Sequence, residues 1–197
     1  MKLSVLRHAV AAFALSAVLS SPAFADGEHI APMTALAKTK VSVWAKNPIV
    51  IAAIKAQNVK NASLQQADID KLDKTWRAEV KSGGGPLMKG VMSNELSGYL
   101  KKVKAQAGGL YTEIFVMDNK GLNVGQSDAT SDYWQGDEAK WQKTYLVGPH
   151  AIQIGKVKMD ESSQMLQSQL SMTIDDPATG KPIGAVTVGV NVEQLAQ

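Results

Sequence analysis

The spacing of hydrophobic residues changes near residue 108. Over 32–107 the apolar positions recur at helical spacing, whereas from residue 111 they alternate with polar positions as they do in a β-strand. Gly108 and Gly109 stand at the change. The pattern predicts an α+β protein in which a helical lead segment (26–110) packs on an antiparallel sheet (111–197), the two forming one structural unit.

Local signals place the ends of the predicted helices. Asn47 before Pro48 is typical of a helix start, because asparagine caps free amides and proline suits the first helical position. Ser63, followed by Gln66, has the form of a capping box. The run Gly83–Pro86 predicts the end of that helix. Its apolar face carries Ile69, Leu72, Trp76 and Val80.

The alternating half predicts five strands. The first two, 114–117 and 122–127, form a hairpin through the turn Asp118–Gly121, in which Gly121 and Asn119 are candidates for positive φ. Two long strands close the chain, at 166–174 and 183–192. Between them and the hairpin, the apolar phase over 152–159 slips near Gly155, which predicts a β-bulge.

The segment between the second and third strands, residues 127–145, is called the lid. It is too polar to be a strand and too aromatic to be an idle linker. It is predicted to close over one face of the sheet. If residues 132–145 are partly helical, Trp134, Trp141 and Tyr145 share one face. Lys140 and Lys143 are expected on an exposed helix face; the alternative is that they turn inward and neutralise a carboxylate ligand.

Residues 1–25 have the features of a signal peptide. Lys2 and Arg7 form a basic start, an apolar run follows over 9–19, and Ala23-Phe24-Ala25 fits a cleavage site. The run is shorter than the roughly 20 apolar residues of a membrane span. We therefore expect cleavage after Ala25 and a periplasmic mature protein.

Charge and composition exclude several functions. The chain has 21 basic and 18 acidic residues; without Lys2 and Arg7 the balance is 19 against 18, which gives no electrostatic basis for binding nucleic acid. Cysteine is absent, which excludes thiol chemistry. His29 and His150 are far apart in sequence, and no Gly-x-Ser-x-Gly motif or calcium-loop spacing occurs. We expect no enzyme activity, no catalytic residues, no cofactor and no metal.

Four segments of the chain are informative in combination. They are the hairpin Glu113–Gly121, Ser127 with Asp132-Tyr133-Trp134, the Asp160-Glu161 pair and the closing strand Pro182–Asn191. Over Tyr111–Leu195 the chain resembles the extracytoplasmic Cache (PDC, PAS-like) sensor domain family.

The resemblance implies a small-molecule pocket between one face of a five-stranded PAS-like sheet and the lid. Ligands typical of the family are small carboxylates, amino acids and related solutes, and the sequence leaves a small organic acid, an amino acid or an amine open. Cache domains are generally held between membrane helices and joined to a signalling output. The predicted signal peptide and the lack of an output domain imply a stand-alone exported member that presents its ligand to a membrane sensor or transporter.

Nine residues are candidates for ligand contact, since aromatic rings bury the apolar part of a solute and short polar groups fix its polar end. For Trp141 and Tyr145 the alternative is packing of the lid; for Ser127, Asp128 and Asp132 it is turn formation and capping. The strand residues among the nine line the pocket only if their face is turned inward. The candidates are Ser127, Asp128, Asp132, Tyr133, Trp134, Trp141, Tyr145, Gln169 and Ser171.

Two classes of function remain open from the sequence. The first is a solute-binding or sensing module. The second is a non-catalytic structural or interaction protein whose pocket is filled by its own side chains. In either case the helical lead segment offers an interface for a homodimer.

Overall fold

A computed structural model describes residues 27–159 and 165–197. Six strands form one antiparallel sheet in the order β2-β1-β6-β5-β3, and β4 also pairs with β5. The predicted α+β class and five-stranded antiparallel sheet are confirmed, with β4 as a short sixth strand. The strands are β1 (Tyr111–Met117), β2 (Asn123–Gln126), β3 (Ile152–Ile154), β4 (Lys158–Met159), β5 (Leu166–Asp175) and β6 (Pro182–Asn191).

Helices fill the lead segment, and two short ones follow it. The long helices begin where the chain supplies a cap: Asn47 accepts a hydrogen bond from the Ile49 amide at 2.9 Å. The helices are α1 (Ile30–Leu36), continued by a π-helical turn (Ala37–Val41) into α2 (Ser42–Trp44), then α3 (Pro48–Lys60), α4 (Gln66–Lys81), α5 (Pro86–Met92), α6 (Glu95–Gln106), α7 (Ala139–Gln142) and α8 (Val192–Leu195).

The capping box of α4 lies two residues after the predicted one. The helix is capped by Gln65, and the Asp68 carboxylate accepts a hydrogen bond from the Gln65 amide at 3.0 Å. Ser63 and Gln66 do not form the box, because Asp68 binds the Gln65 amide more strongly than a neutral amide side chain does. A charged acceptor in the first turn also suits the helix dipole.

The main core lies between the helices and one face of the sheet, called the helix face. Strand alternation turns Ile114 and Val116 of β1 and Val186 and Val188 of β6 to this face, all fully buried. The lead helices cover them with Val50, Ile54, Leu96 and Leu100. Removing apolar surface from water stabilises a fold by about 25 cal/mol per Å². This core is therefore the principal source of stability.

The π-helical turn keeps the first helix in line with this core. Four-residue steps in an α-helix drift by about 40° each, so three steps carry a side chain about 120° around the axis. One extra residue in the π-helical turn cancels most of that drift. As a result, four residues spaced by four are all buried: Met33, Ala37, Val41 and Ala45.

A second hydrophobic cluster lies outside the sheet. Trp76 of α4 is fully buried there, together with Ile69, Val91, Leu122 and Tyr133. The predicted apolar face of α4 is confirmed, since Leu72 and Val80 pack against the same cluster.

The interruption predicted near Gly155 is present. Ile154 pairs with Leu170 and Lys158 pairs with Gln167, so three residues of one strand oppose two of its partner. The Gly155 amide still donates to the Gln169 carbonyl at 2.7 Å. This extra residue reverses the side-chain phase between β3 and β4.

The turn between β1 and β2 requires glycine at 121 and crosses the lid. Gly121 has φ +81°, as predicted, whereas Asn119 does not adopt positive φ. A Cβ on Gly121 would lie 2.6 Å from the Gly136 Cα, a backbone atom of the lid.

Gly121→Ala is expected to lower the free energy of unfolding by about 3–4 kcal/mol. The cost of placing alanine in a left-handed backbone conformation adds to the cost of the steric clash between its Cβ and Gly136. Gly180→Ala is the matched control: Gly180 has φ +68° but nothing within 4 Å of a built Cβ. It should cost only about 1–2 kcal/mol. Urea denaturation of both variants measures the difference. Equal losses in the free energy of unfolding would show that close contact between the turn and the lid does not contribute.

Within residues 27–159 and 165–197, no helix combines the length and apolar character that crossing a membrane requires.

Candidate functional site

The face of the sheet opposite the helices, called the lid face, carries a row of polar side chains. Gln169 of β5 donates to the Glu113 carboxylate of β1 at 2.9 Å. Next along β5, the Ser171 and Thr187 hydroxyls lie 2.9 Å apart, and both residues are fully buried. Cross-strand pairs of this kind fix the polar groups in position before any ligand arrives.

The lid closes over part of this face with aromatic rings. Trp141 and Tyr145 stack at 5.2 Å and pack on Phe115, Met117 and Ala185. The Trp141 indole N–H donates to the Asp118 carbonyl at 3.1 Å, which ties the lid to the end of β1. Burial raises the pKa of the Tyr145 hydroxyl above its usual value, and the Asp118 carboxylate raises it further.

An open cleft of about 440 Å³ remains beside the packed rings. The lid supplies Glu138 and Lys140, and the β3–β4 bulge supplies Gly155, Lys156 and Lys158. Gln167 and Gln169 of β5 form the rest of the lining. The volume lies within the range of about 300–1,000 Å³ that is usual for small-molecule sites.

Lys140 is a cation held in place under the lid. Its side chain is only 12% exposed and pairs with Glu138 at 2.9 Å. The ammonium also donates to the Gln135 side-chain oxygen at 3.1 Å and lies 5.4 Å from the centre of the Phe115 ring. A lysine fixed this way presents positive charge without first losing side-chain freedom, which favours binding of an anion.

Lys156 and Lys158 add positive charge at the mouth of the cleft. Both are exposed residues of the bulged edge strand. Three lysines therefore border the cleft, its other polar side chains are the amides of Gln167 and Gln169, and its one carboxylate, Glu138, pairs with Lys140. The arrangement is suited to a small solute with a carboxylate and further hydrogen-bonding groups.

Four of the sequence-predicted residues share the lid face. Gln169 lines the cleft, and Ser171 follows it along the same face of β5. Trp141 and Tyr145 pack on that face beside the cleft. The inward orientation on which the prediction for Gln169 and Ser171 depended is therefore present.

The structure places Tyr133 and Trp134 on the other side of the lid, against α4. Tyr133 stacks on Trp76 at 5.4 Å, and burial raises the pKa of its hydroxyl strongly. The amides of Tyr133 and Trp134 donate to the Asp73 carboxylate at 2.8 and 3.0 Å. Neither residue is brought together with Gln169, and their contact with a ligand stays a prediction.

The idea that Trp134, Trp141 and Tyr145 share one helical face is wrong. Only Ala139–Gln142 is helical, and Trp134 lies before it in a bridge that pairs with Leu122. The Trp134 indole donates to the Lys120 carbonyl at 2.8 Å. Because the lid is mostly irregular, helical periodicity does not govern where its side chains lie, and Lys140 faces inward instead of lying on an exposed helix face.

The remaining three predicted residues anchor the lid's entry. The Ser127 hydroxyl accepts from the Ile114 amide at 2.8 Å and donates to Asp128 at 2.7 Å. Asp128 pairs with Lys104 at 2.6 Å. Asp132 pairs with Arg77 of α4 at 2.7 Å, and the pKa of this arginine is raised chiefly by its hydrogen bond to Asp73.

Asp128 also borders a separate cleft of about 570 Å³ at the end of the sheet, with Thr112, Glu113 and Gln167 among its lining residues. The two clefts share Gln167. Thr112, which lines the second cleft, donates to the Gln167 side-chain oxygen at 2.6 Å. The predicted residues thus lie around the lid, but they do not form one continuous wall.

Sequence reasoning singled out neither Glu113 nor Lys156 and Lys158, and it favoured an exposed position for Lys140. Glu113 alternates with the buried Ile114, which in a strand is a signal for the opposite face. Lys140 has no such signal, since its orientation depends on the irregular path of the lid. Among the residues that the structure describes, no group of three or more His, Asp and Glu is placed to hold a metal ion.

Comparison with known proteins gives likenesses of fold. The chain matches no protein-family model, and no curated protein matches it in sequence. Solved structures that are similar include the sensory domain of the Campylobacter jejuni chemoreceptor Tlp3, at 17% identity and a TM-score of 0.38, covering 85% of this chain and 62% of that one.

Two further similar structures are also sensor or ligand-binding domains. The sensor domain of the Vibrio cholerae histidine kinase DctB is 15% identical, with a TM-score of 0.37 over 87% of this chain and 58% of that one. The ligand-binding domain of the Pseudomonas aeruginosa amino acid chemoreceptor PctC, in complex with GABA, is 12% identical, with a TM-score of 0.35 over 64% and 63%.

This chain spans about 60% of the length of these sensory domains. The likeness concerns the arrangement of helices and sheet, and it carries no information about what this chain binds.

Proposed function

We propose that this protein binds a small carboxylate-bearing solute in the cleft between the lid and the lid face of the sheet. The observation that carries the proposal is Lys140, a nearly buried cation fixed beside the amide side chains of a cleft of about 440 Å³. A preorganised ammonium forms a charge-assisted hydrogen bond with a carboxylate. Gln169 and Gln167 supply donors and acceptors for a second polar group of the solute.

The cellular setting is part of the proposal. Met1–Ala25 would act as a signal peptide cleaved after Ala25, and the mature protein would work in the periplasm. It would present its bound solute to a membrane sensor or transporter, as a binding module without catalysis and without nucleic acid as a partner. Residues 1–25 lie outside the part of the chain that the structure describes. The proposed setting therefore rests on the sequence pattern and on the resemblance to Cache domains.

Lys140→Met tests the cleft directly, because methionine keeps the packing on Phe115 and removes the charge. Isothermal titration calorimetry of the mature chain against small mono- and dicarboxylates and amino acids should identify a solute that binds. The Lys140→Met substitution should weaken binding of that solute by about 1.5–3 kcal/mol, which is roughly a ten- to hundredfold rise in Kd.

Lys102→Met on the exposed face of α6 is the matched control and should bind like the parent. The proposal is wrong if no carboxylate binds, or if the Lys140→Met protein binds the solute as tightly as the parent does.

A second candidate function has its own supporting observation. Trp141 and Tyr145 already fill much of the lid face by stacking on Phe115, Met117 and Ala185. Such self-filling fits a structural or interaction protein, with the helical lead segment as a homodimer interface. Under this alternative the calorimetric screen yields no ligand at all.

A further inference from the structure

A second cavity, of about 480 Å³, lies at the edge of the helix face of the sheet. The helical side of its lining comes from Ser42 and Ala45 at the end of the first helix. The sheet side comes from Ile152 of β3 and from Met172 and Ile174 of β5. Most of its wall is therefore apolar, and it is separated by the sheet from the cleft under the lid.

The carboxylates at its rim already have partners. Asp175 accepts from the His150 ring nitrogen Nδ1 at 2.8 Å. Asp176 pairs with the Lys55 ammonium at 2.8 Å, and this hydrogen bond is the main reason why the pKa of Asp176 lies below its usual value. Asp175 keeps one buried oxygen, Oδ1, without a hydrogen-bond partner among the described residues.

Two lysines at the rim are different. Lys38 and Lys46 both line the cavity from the helical side, and both are exposed. In the part of the chain that the structure describes, neither ammonium lies within ion-pair distance of a carboxylate. An apolar pocket bordered by paired carboxylates and unpaired cations has an excess of positive charge at its entrance.

We infer that this cavity binds a hydrophobic carboxylate, with the apolar part against Ile152, Met172 and Ile174 and the carboxylate between Lys38 and Lys46. Apolar surface and a small number of charged groups at the mouth are the usual composition of such sites. The inference does not depend on the proposed function of the lid cleft, because the two sites lie on opposite faces of the sheet and share no lining residue.

Hexanoate is the probe, and methyl NMR of the full chain is the measurement. Titration should shift the methyl signals of Ile152, Ile174 and Met172 in a saturable way and leave those of distant residues unchanged. The double charge reversal Lys38→Glu/Lys46→Glu changes only exposed side chains. It should weaken hexanoate binding by roughly tenfold, since both exposed ion pairs to the carboxylate are replaced by repulsion.

Lys71→Glu/Lys74→Glu on α4 makes the same change of charge away from the cavity and should leave hexanoate binding unchanged. Hexylamine is the comparison probe, because its ammonium would bind Asp175 Oδ1 and would be repelled by the two lysines. Absence of shifts at the three methyl groups would overturn the inference. So would hexylamine binding as tightly as hexanoate, or undiminished hexanoate binding by the Lys38→Glu/Lys46→Glu protein.

Discussion

Asp118→Ala is expected to lower the free energy of unfolding by roughly 3–5 kcal/mol, because it leaves several buried donors without an acceptor. The residue is fully buried at the end of β1. One carboxylate oxygen accepts from the amides of Lys120 and Leu122 at 2.8 and 2.9 Å. The other accepts from the side chains of Gln57 and Asn61 at 3.0 and 2.9 Å.

These four bonds tie the β1–β2 turn to α3, so the loss should be global and visible in urea denaturation. Asp118→Asn keeps the shape but turns an amide N–H₂ toward donors, and it should also destabilise strongly. Asp137→Ala removes an exposed carboxylate from the lid and should change stability by less than about 0.5 kcal/mol. Similar denaturation midpoints for Asp118→Ala and Asp137→Ala would refute this account of the turn.

Trp76→Ala is expected to cost roughly 3–5 kcal/mol, the range for removing a buried tryptophan. Trp76 is fully buried in the cluster that joins α4 to the lid, and its ring stacks on Tyr133. Its indole N–H donates to the Thr130 carbonyl at 2.8 Å. The cavity would open beneath the lid's entry, so proteolysis should also cut the lid more readily in the variant.

Trp76→Phe separates the two contributions, because it keeps most of the ring and removes the hydrogen bond. It should lower the free energy of unfolding by less than Trp76→Ala does. The remaining loss, about 1–3 kcal/mol, comes from the Thr130 carbonyl, which is left without its donor. If limited proteolysis shows equal lid protection in the parent and in Trp76→Ala, the cluster does not hold the lid.

The elements of this fold were largely predictable because their signals are local. The face of α4 follows from the spacing of Ile69, Leu72, Trp76 and Val80, and the β1–β2 turn follows from Gly121. The bulge near Gly155 was readable because a slip of one residue inverts the alternation of the strand. Each of these features needs only neighbours in sequence to be specified.

The candidate site was less predictable because it is made by contacts between distant segments. Tyr133 could face the sheet or α4, and two contacts with the distant helix α4 decide for α4: the stacking on Trp76 and the amide hydrogen bond to Asp73. Lys140 turns inward because Glu138, Gln135 and the Phe115 ring surround its ammonium. A pattern of aromatic residues predicted a lid, but it does not say which side of the lid each ring occupies.

The π-helical turn at Ala37–Val41 gives the first helix one residue more than a regular α-helix needs over the same core contacts. Removing a single residue from 38–40 would return the helix to α geometry and still leave Met33, Val41 and Ala45 on one face. The chain can therefore lose one residue there without moving its hydrophobic anchors. A deletion of one residue is accordingly expected to be best tolerated at this turn, beside the cavity bordered by Lys38 and Ser42.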